Sequence, residues 1–354
     1  MTRRPRTSTA VAWGFGLLLV LAWAAGLLLL AHQRDQALQA EQQHNAQLAA
    51  QLQARTGQVI AGADQALRQI RDALRAGTPP DLVRLAAASG LGKALVQLSL
   101  VGPDGHFVGS SLDPGGQQTG PIDLNEREHI QAVLHPPAGG NADAIFIGKP
   151  VLGKVSQRWT IQLSRRLVAE DGRTLGVGVA SLDPTHFESL YRTVPLGQLG
   201  SVALVGPDLR VRARVLGGVS QGMGSDLPAN HPLVTAGWPP SGSGVEAHEG
   251  ADDATDAHIV AFAQVGSYPL HVVVSTASTE AFAEWHSLRN LLLLGGTLGT
   301  LMLLLAASIT TRRLREREQV SDEDAGAAYP VTEVATEINT EPTPGDAEVP
   351  SAKD

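Results

Sequence analysis

Three arginines, Arg127, Arg158 and Arg165, are the residues best suited to recognition chemistry. A guanidinium presents planar, forked donors that match a carboxylate or another small anion. Trp159 adjoins the second of them, and Asp183 closes a later β-branched stretch just ahead of Pro184. Each also has a plain structural use. Arg127 on an amphipathic helix can face solvent, Trp159 can fill a core, Arg165 and Arg166 can bracket a strand end, and Asp183 can cap a turn or a helix.

Signals for catalysis are poor. Gly148-Lys149-Pro150-Val151-Leu152-Gly153-Lys154 spells the start of a phosphate-binding loop, but Val155 stands where a magnesium-binding Ser or Thr belongs. His248, Glu249, Asp252, Asp253, Asp256 and His258 offer oxygen and imidazole donors for a divalent cation. Their spacing matches no EF-hand, Gly and Ala dilute them, and the stretch reads as a solvated loop. There is no G-x-S-x-G elbow and no H-E-x-x-H helix. With no Cys, disulfides, thiolate metal sites and Cys nucleophiles are excluded. Neither an enzyme activity nor a cofactor is expected.

The 354 residues suit about two domains, and 43% hydrophobic content suffices for a sizeable core. The net charge of -8 argues against nucleic acid as a partner. That charge resides in one place. From Gln319 to Asp354 nine acids face the single base Lys353, so the remainder of the chain is formally neutral.

Two apolar runs set the architecture. Ala10 to Ala31 and Leu291 to Ile309 carry no charge and are long enough to cross a hydrocarbon layer of about 30 Å. The first lacks the clean cleavage site of a signal peptide and exceeds the usual apolar length of one. Arg3, Arg4 and Arg6 precede the first run, and Arg312, Arg313, Arg315 and Arg317 follow the second. The positive-inside rule places both termini in the cytoplasm and His32 to Arg289 outside. Trp13 and Trp285 fall near opposite interfaces, and Gly295 with Gly299 permits close approach of a second helix.

Between the spans, 32–77 reads as a long helix. Leu48, Leu52, Val59, Ala63, Leu67, Ile70 and Leu74 make one apolar stripe, ended by Gly77, Pro79 and Pro80. Its Gln-rich early part reads as a dimer stalk, and its later part as packed on a domain. Strands are expected over 94–101, 106–110, 159–167 and 173–182, with turns at Pro103-Asp104-Gly105 and Asp171-Gly172. A helix is expected over 123–133 with Asp123 as its cap and Glu126 three residues on.

An internal repeat ties the segment together. Leu100-Val101-Gly102-Pro103-Asp104 recurs as Leu204-Val205-Gly206-Pro207-Asp208. A weaker echo aligns Val177 with Val272, Val179 with Val274, Ser181 with Thr276 and Phe187 with Phe282. Two echoes in the same order predict two related α+β modules. The expected layout is a cytoplasmic N-terminus (1–9), a first span (10–31), the helix (32–77) and a membrane-distal module (78–184). A connector (185–198), a membrane-proximal module (199–286), a second span (287–310) and a disordered acidic tail (311–354) follow.

This arrangement resembles the double Cache sensors, bacterial extracytoplasmic domains with two tandem PAS-like modules. The stretches Ile122 to Glu128, Arg158 to Arg166, Gly178 to Pro184 and Gly200 to Gly206 resemble the subgroup found on diguanylate cyclases. The resemblance covers 32 to about 286. It implies an α+β fold with antiparallel sheets, a location in the bacterial inner membrane with the sensor domain in the periplasm, and a ligand in the distal module. In the amino-acid-binding branch a Tyr, an Arg and a Trp-Tyr pair hold the ligand carboxylate, and an Asp takes the ammonium. The Arg falls on Arg127 and the Asp on Asp183, while the Tyr falls on Ile122 and the Trp-Tyr pair on His129 and Ile130. Two of five types survive, which favours a carboxylate or other small polar molecule over an α-amino acid. The expected ligand residues are therefore Arg127, His129, Arg158, Trp159, Arg165 and Asp183. The resemblance further implies a homodimer, and the short acidic tail implies output through a separate cytoplasmic or membrane partner. A membrane-anchored scaffold, or a remnant of a longer sensor, is the alternative.

Overall fold

The computed structural model describes residues 7–136, 143, 145–246 and 257–327. Helix α1 (Thr7–Arg75) runs unbroken from the first apolar run through the whole expected stalk. After α2 (Leu82–Ala88) come β1 (Leu95–Val101), β2 (Phe107–Ser110), α3 (Glu128–Leu134), β3 (Ile145–Leu152), β4 (Trp159–Val168) and β5 (Thr174–Leu182). Helix α4 (Pro184–Tyr191) leads to β6 (Ser201–Val205), β7 (Val211–Leu216), β8 (Val219–Ser220), α5 (Pro232–Thr235), β9 (Ser241–Glu246), β10 (His258–Gln264) and β11 (His271–Ala277). The short α6 (Ser278–Ala281) precedes α7 (Ala283–Ala327). The fold is α+β, with a long N-terminal helix and two antiparallel sheets.

The two sheets have one topology. Their strand orders are β2-β1-β5-β4-β3 and β8-β7-β6-β11-β10-β9, the second carrying one extra edge strand. The repeated pentapeptide makes the same turn twice. Gly102 N donates to His106 O at 2.8 Å and Gly105 N to Gly102 O at 3.0 Å, while Gly206 N donates to Arg210 O at 3.2 Å and Leu209 N to Gly206 O at 3.0 Å. The second echo is displaced by one residue. Leu100 pairs with Gly178 and Leu204 pairs with Val272, so Val272 is the counterpart of Gly178 and not of Val177. A one-residue slip exchanges the two faces of a strand, and Val272 packs with the α1 core whereas Val177 packs on the other side.

The turns differ at one position. Gly105 has φ +81°, while Leu209 is held at φ +63° in the left-handed region. That conformation costs a non-glycine residue about 1–2 kcal/mol, against about 0.5–1 kcal/mol for the extra freedom glycine loses on folding. Leu209→Gly is therefore expected to raise the melting temperature by about 1–3 °C, read by thermal denaturation.

Within Leu28–Asn290, one compact unit, α1 is the common support. Leu52, Ile60, Ala63, Leu67 and Ile70 share one core with Leu98, Leu163 and Leu182 of the first sheet and Leu204, Val272 and Val274 of the second. Packing begins early in the helix. Asn45 is buried, its Nδ2 donates to Ile259 O at 3.0 Å, and its Oδ1 accepts from Thr276 Oγ1 at 3.0 Å. The helix is thus bound to the second sheet from Asn45 onward. The expected connector contains α4, whose Tyr191 hydroxyl lies 3.1 Å from Thr56 Oγ1.

Two further expectations are corrected. The helix expected over 123–133 begins only at Glu128, because Asp123 bridges His106 and its carboxylate accepts from Asn125 N at 2.8 Å in a local turn. The tail continues α7 through the two turns that 312–319 can add and on to Ala327, so 321–327, expected to be disordered, is helical, and 328–354 lies outside the described residues.

Helices α1 and α7 each contain a stretch long and apolar enough to cross a membrane, with 6% and 0% of the most apolar window buried. So little burial distinguishes them from core helices. In the unit formed by Met1–Leu27 and Leu291–Asp354, Trp23 Nε1 donates to Thr300 Oγ1 at 3.0 Å, and a Cβ on Gly296 would lie 3.3 Å from the Trp23 ring. Gly295 and Gly299 have nothing within 4 Å of their Cβ positions. In the other unit, Trp285 Nε1 donates to Leu30 O at 3.1 Å, and Arg289 stacks over the Trp285 ring at 5.2 Å.

Candidate functional site

Strand alternation divides the first sheet into two chemically different faces. Leu98, Leu100, Ile161, Leu163, Leu167, Ala180 and Leu182 face α1. The other face carries Gln97, Ser99, Thr160, Gln162, Ser164 and Ser181, all buried. Helix α3 covers the far part of that face, where Ile130 and Val133 pack on Val101, Val177 and Val179. The hairpin after β3 closes over its middle. Between them lies a cavity of about 40 Å³.

One wall of the cavity is apolar, formed by Val101, Phe107, Leu124 and Val179. Another is the polar row of Gln97, Ser99 and Gln162, and the rim is Arg127, His129 and Lys154. The polar row is held in place from behind. Gln162 Oε1 accepts from Ser181 Oγ at 2.8 Å, and Gln162 Nε2 donates to Thr160 Oγ1 at 2.7 Å. Gln97 Nε2 donates to Ser99 Oγ at 3.0 Å. Gln97 Oε1 and the Ser164 hydroxyl are buried without a hydrogen-bond partner among the described residues. An unsatisfied buried polar group costs about 1–3 kcal/mol, so such groups call for an explanation.

The second module is an internal control. Gln97 stands opposite Ser181 as Ser201 stands opposite Ser275, and Ser99 opposite Val179 as Ala203 opposite Val273. On the neighbouring strand, Gln162 and Ser164 correspond by the same pairing to Val260 and Phe262. Arg127 and His231 occupy the cap positions of α3 and α5, and two residues past Arg127 the polar His129 has Leu233 as its counterpart. In the second module these positions form an apolar cluster of Ala203, Leu233, Val260, Phe262 and Val273, with Trp238 against it. One topology therefore carries an apolar cluster at these positions in one copy and a polar cavity in the other, although His271, Ser275 and Ser201 are also buried in the second module. The fold does not require the polar set.

Electrostatically the cavity favours anions. Its lining includes Arg127 and Lys154 and no carboxylate among the described residues. Lys154 Nζ donates to Asp123 O at 3.1 Å, which ties the hairpin to the segment before α3. Burial, reinforced by the Arg127 charge, pushes the His129 pKa from 6.5 down to about 4, so the ring is neutral at pH 7. Burial, then Arg214, pushes His231 to about 4 as well. Between pH 4 and 6.5 the unfolded chain binds more protons at both sites than the folded one. Their linked contribution is thus fully present above pH 6.5 and is lost as pH falls towards 4. The melting temperature is expected to fall across this window, and His129→Leu to flatten part of the fall.

The remaining sequence-derived candidates do not line this cavity. Arg158 pairs with Asp183 at 2.5 Å. Asp183 is also the cap of α4, its Oδ1 accepting from Thr185 N at 2.9 Å and Thr185 Oγ1 at 2.7 Å, so it is not placed to receive an ammonium. Trp159 is 55% exposed on the surface. Arg165 lies on the opposite face, paired with Asp64 of α1 at 2.7 Å. Of the six, the cavity brings together Arg127 and His129. Gln97, Ser99, Gln162 and Lys154 were not foreseen.

The resemblance to a phosphate-binding loop dissolves in the structure. Gly148 to Leu152 belongs to β3, and Lys149 pairs with Glu128 at 3.2 Å. Of the acidic loop, only His258 falls among the described residues, and it lies 3.1 Å from Ser275 Oγ. Among the described residues no group of three or more His, Asp or Glu is placed to hold a metal ion.

No protein-family model matches the chain, and no curated protein matches it. Solved structures do. The extracellular domain of a protein described as the histidine kinase rpHK1S-Z16 superposes with a TM-score of 0.57 at 24% identity, covering 70% of this chain and 99% of that one. The ligand-binding domain of the Pseudomonas fluorescens chemoreceptor CtaA, solved with L-isoleucine, gives 0.51 at 13% identity over 71% of this chain and 98% of that one. That of the Pseudomonas aeruginosa PAO1 chemoreceptor PctB, solved with L-Arg, gives 0.50 at 14% identity over 69% and 98%. The chain has the fold of these extracellular and ligand-binding domains.

Proposed function

We propose that the chain is a membrane-bound extracytoplasmic sensor whose ligand, a small polar or anionic molecule, binds in the cavity of the first module. The observation that carries this reading is the contrast between the two copies of one sheet. Gln97, Ser99, Gln162 and Ser164 in one are Ser201, Ala203, Val260 and Phe262 in the other. Buried polar groups without full pairing destabilise a fold, and a ligand that pairs them explains their presence. Arg127 and Lys154 supply the positive charge, and the neutral His129 a polar wall.

Signalling follows from differential affinity for two arrangements of the helices. The cavity lies on a sheet whose other face packs on α1, and the second module leads through α6 into α7. Both helices contain the apolar stretches that we place across the bacterial inner membrane, with both termini cytoplasmic. We further propose a homodimer and an output read by a separate cytoplasmic or membrane protein, of the diguanylate cyclase class if the subgroup resemblance holds. Beyond its apolar stretch α7 presents Arg312, Arg313, Arg315 and Arg317, a charged surface for such a partner.

The test is a thermal-shift screen of the full chain in detergent against carboxylates, amino acids, amines and purines. A ligand selective for the folded state raises the melting temperature by mass action. The reading predicts a small-anion hit that disappears in Arg127→Ala. A folded chain without a hit, or a hit indifferent to Arg127, would favour a membrane-anchored scaffold.

A further inference from the structure

We infer that the ligand is a short 2-hydroxycarboxylate of two or three carbons, an inference that rests on the sensor reading above. Four features of the cavity converge on this class. Its volume of about 40 Å³ equals roughly three or four water sites at about 10–15 Å³ each, which a molecule of five or six heavy atoms would replace. Arg127 and Lys154 line it, so one end of the ligand is anionic. Gln97 is 7% exposed, lines the cavity, and its Oε1 has no donor among the described residues. A ligand that carries a hydrogen-bond donor as well as its anionic group would satisfy this oxygen, and in a cavity this small the two groups sit on neighbouring atoms.

The fourth feature separates a hydroxyl from an ammonium. A buried ammonium needs a counter-charge. None of the described lining residues is acidic, and Asp183 is committed to Arg158 and to the cap of α4. A hydroxyl needs only the amide oxygen. The apolar wall of Val101 and Val179 accommodates the carbon beside it. Simple carboxylates such as acetate satisfy the cations and leave Gln97 unpaired. Sites built to hydrogen-bond a substrate hydroxyl reject analogues that lack it.

The experiment is calorimetric titration of the full chain in detergent with glycolate, acetate and glycine, three molecules of similar size. Glycolate is expected to bind at least about tenfold more tightly than either of the others. In Gln97→Met, which keeps length and removes the acceptor, glycolate should fall to the acetate level while acetate is unchanged. Gln97→Ser, the residue of the second module at this position, serves if the Met variant does not fold. Equal binding of acetate and glycolate, tighter binding of glycine, or a preference that survives both substitutions overturns the inference. Acetate binding that depends on Arg127 but shows no hydroxyl preference overturns this inference alone and leaves the sensor reading standing. If the folded chain binds none of the three, the inference fails and the broader screen decides the sensor reading separately.

Discussion

Arg165→Ala is expected to be the most destabilising single substitution in the first module, and to leave ligand affinity per folded molecule unchanged. Arg165 and Asp64 are 4% and 2% exposed. Asp64 Oδ1 accepts from Arg165 Nε at 2.9 Å and Nη2 at 2.7 Å, while Oδ2 accepts from Arg68 at 2.6 Å and from the Tyr268 hydroxyl at 3.4 Å. One carboxylate thus joins α1, the first sheet and the loop between β10 and β11. Removing Arg165 leaves the buried Asp64 with the half-exposed Arg68 as its remaining charge partner; breaking a buried pair costs up to about 3–5 kcal/mol, or a fall in melting temperature of up to roughly 10 °C for a unit of this size. Asp64→Leu with Arg165→Met removes both charges and should cost less than Arg165→Ala. A double variant less stable than the single would show that the pair stabilises beyond its own desolvation.

The second large effect is on binding. Ser99→Ala with Gln162→Val gives the first cavity the residues that its counterpart carries at Ala203 and Val260. Ser99→Ala takes the acceptor from Gln97 Nε2, and Gln162→Val takes the partners of Thr160 and Ser181; buried groups left unpaired cost about 1–3 kcal/mol each, so the melting temperature should fall by roughly 10 °C while the chain still folds. Affinity for the anion found in the screen should fall by more than about 100-fold, because the Ser99 and Gln162 part of the polar wall is gone and Gln97 loses its anchor on Ser99. Calorimetry on the folded double variant reads this directly. Undiminished affinity would place the ligand elsewhere.

The fold was legible in the chain because its punctuation is strong. Pro103-Asp104-Gly105, Asp171-Gly172 and the repeated pentapeptide fix hairpins, and the α1 stripe fixes what they pack on. The register of the second echo is ambiguous in the sequence because valines on both faces of β5 and β11 match equally well at either offset.

The site was half legible. Arg127 and His129 follow from the family resemblance, whereas Thr160, Gln162 and Ser164 are buried only because α3 and the β3 hairpin cover that face of the strand. A signal was available: the same alternation in β10 reads His258, Val260, Phe262. Arg165 shares its parity with Ile161, Leu163 and Leu167, and Asp64 sits within the helix stripe. A charge on each of two apolar faces announces a buried pair before it announces a ligand.

The central claim is that the first module, and not the second, holds the ligand. A crystal structure of the full chain with the tightest-binding small anion tests it most directly. The account predicts the anion between the Arg127 guanidinium and the Gln97 amide, against Val179, with the apolar interior beneath α5 unaltered. A ligand seated beneath α5, or on the surface beside Trp159 and Arg158 with the first cavity unchanged, would contradict it.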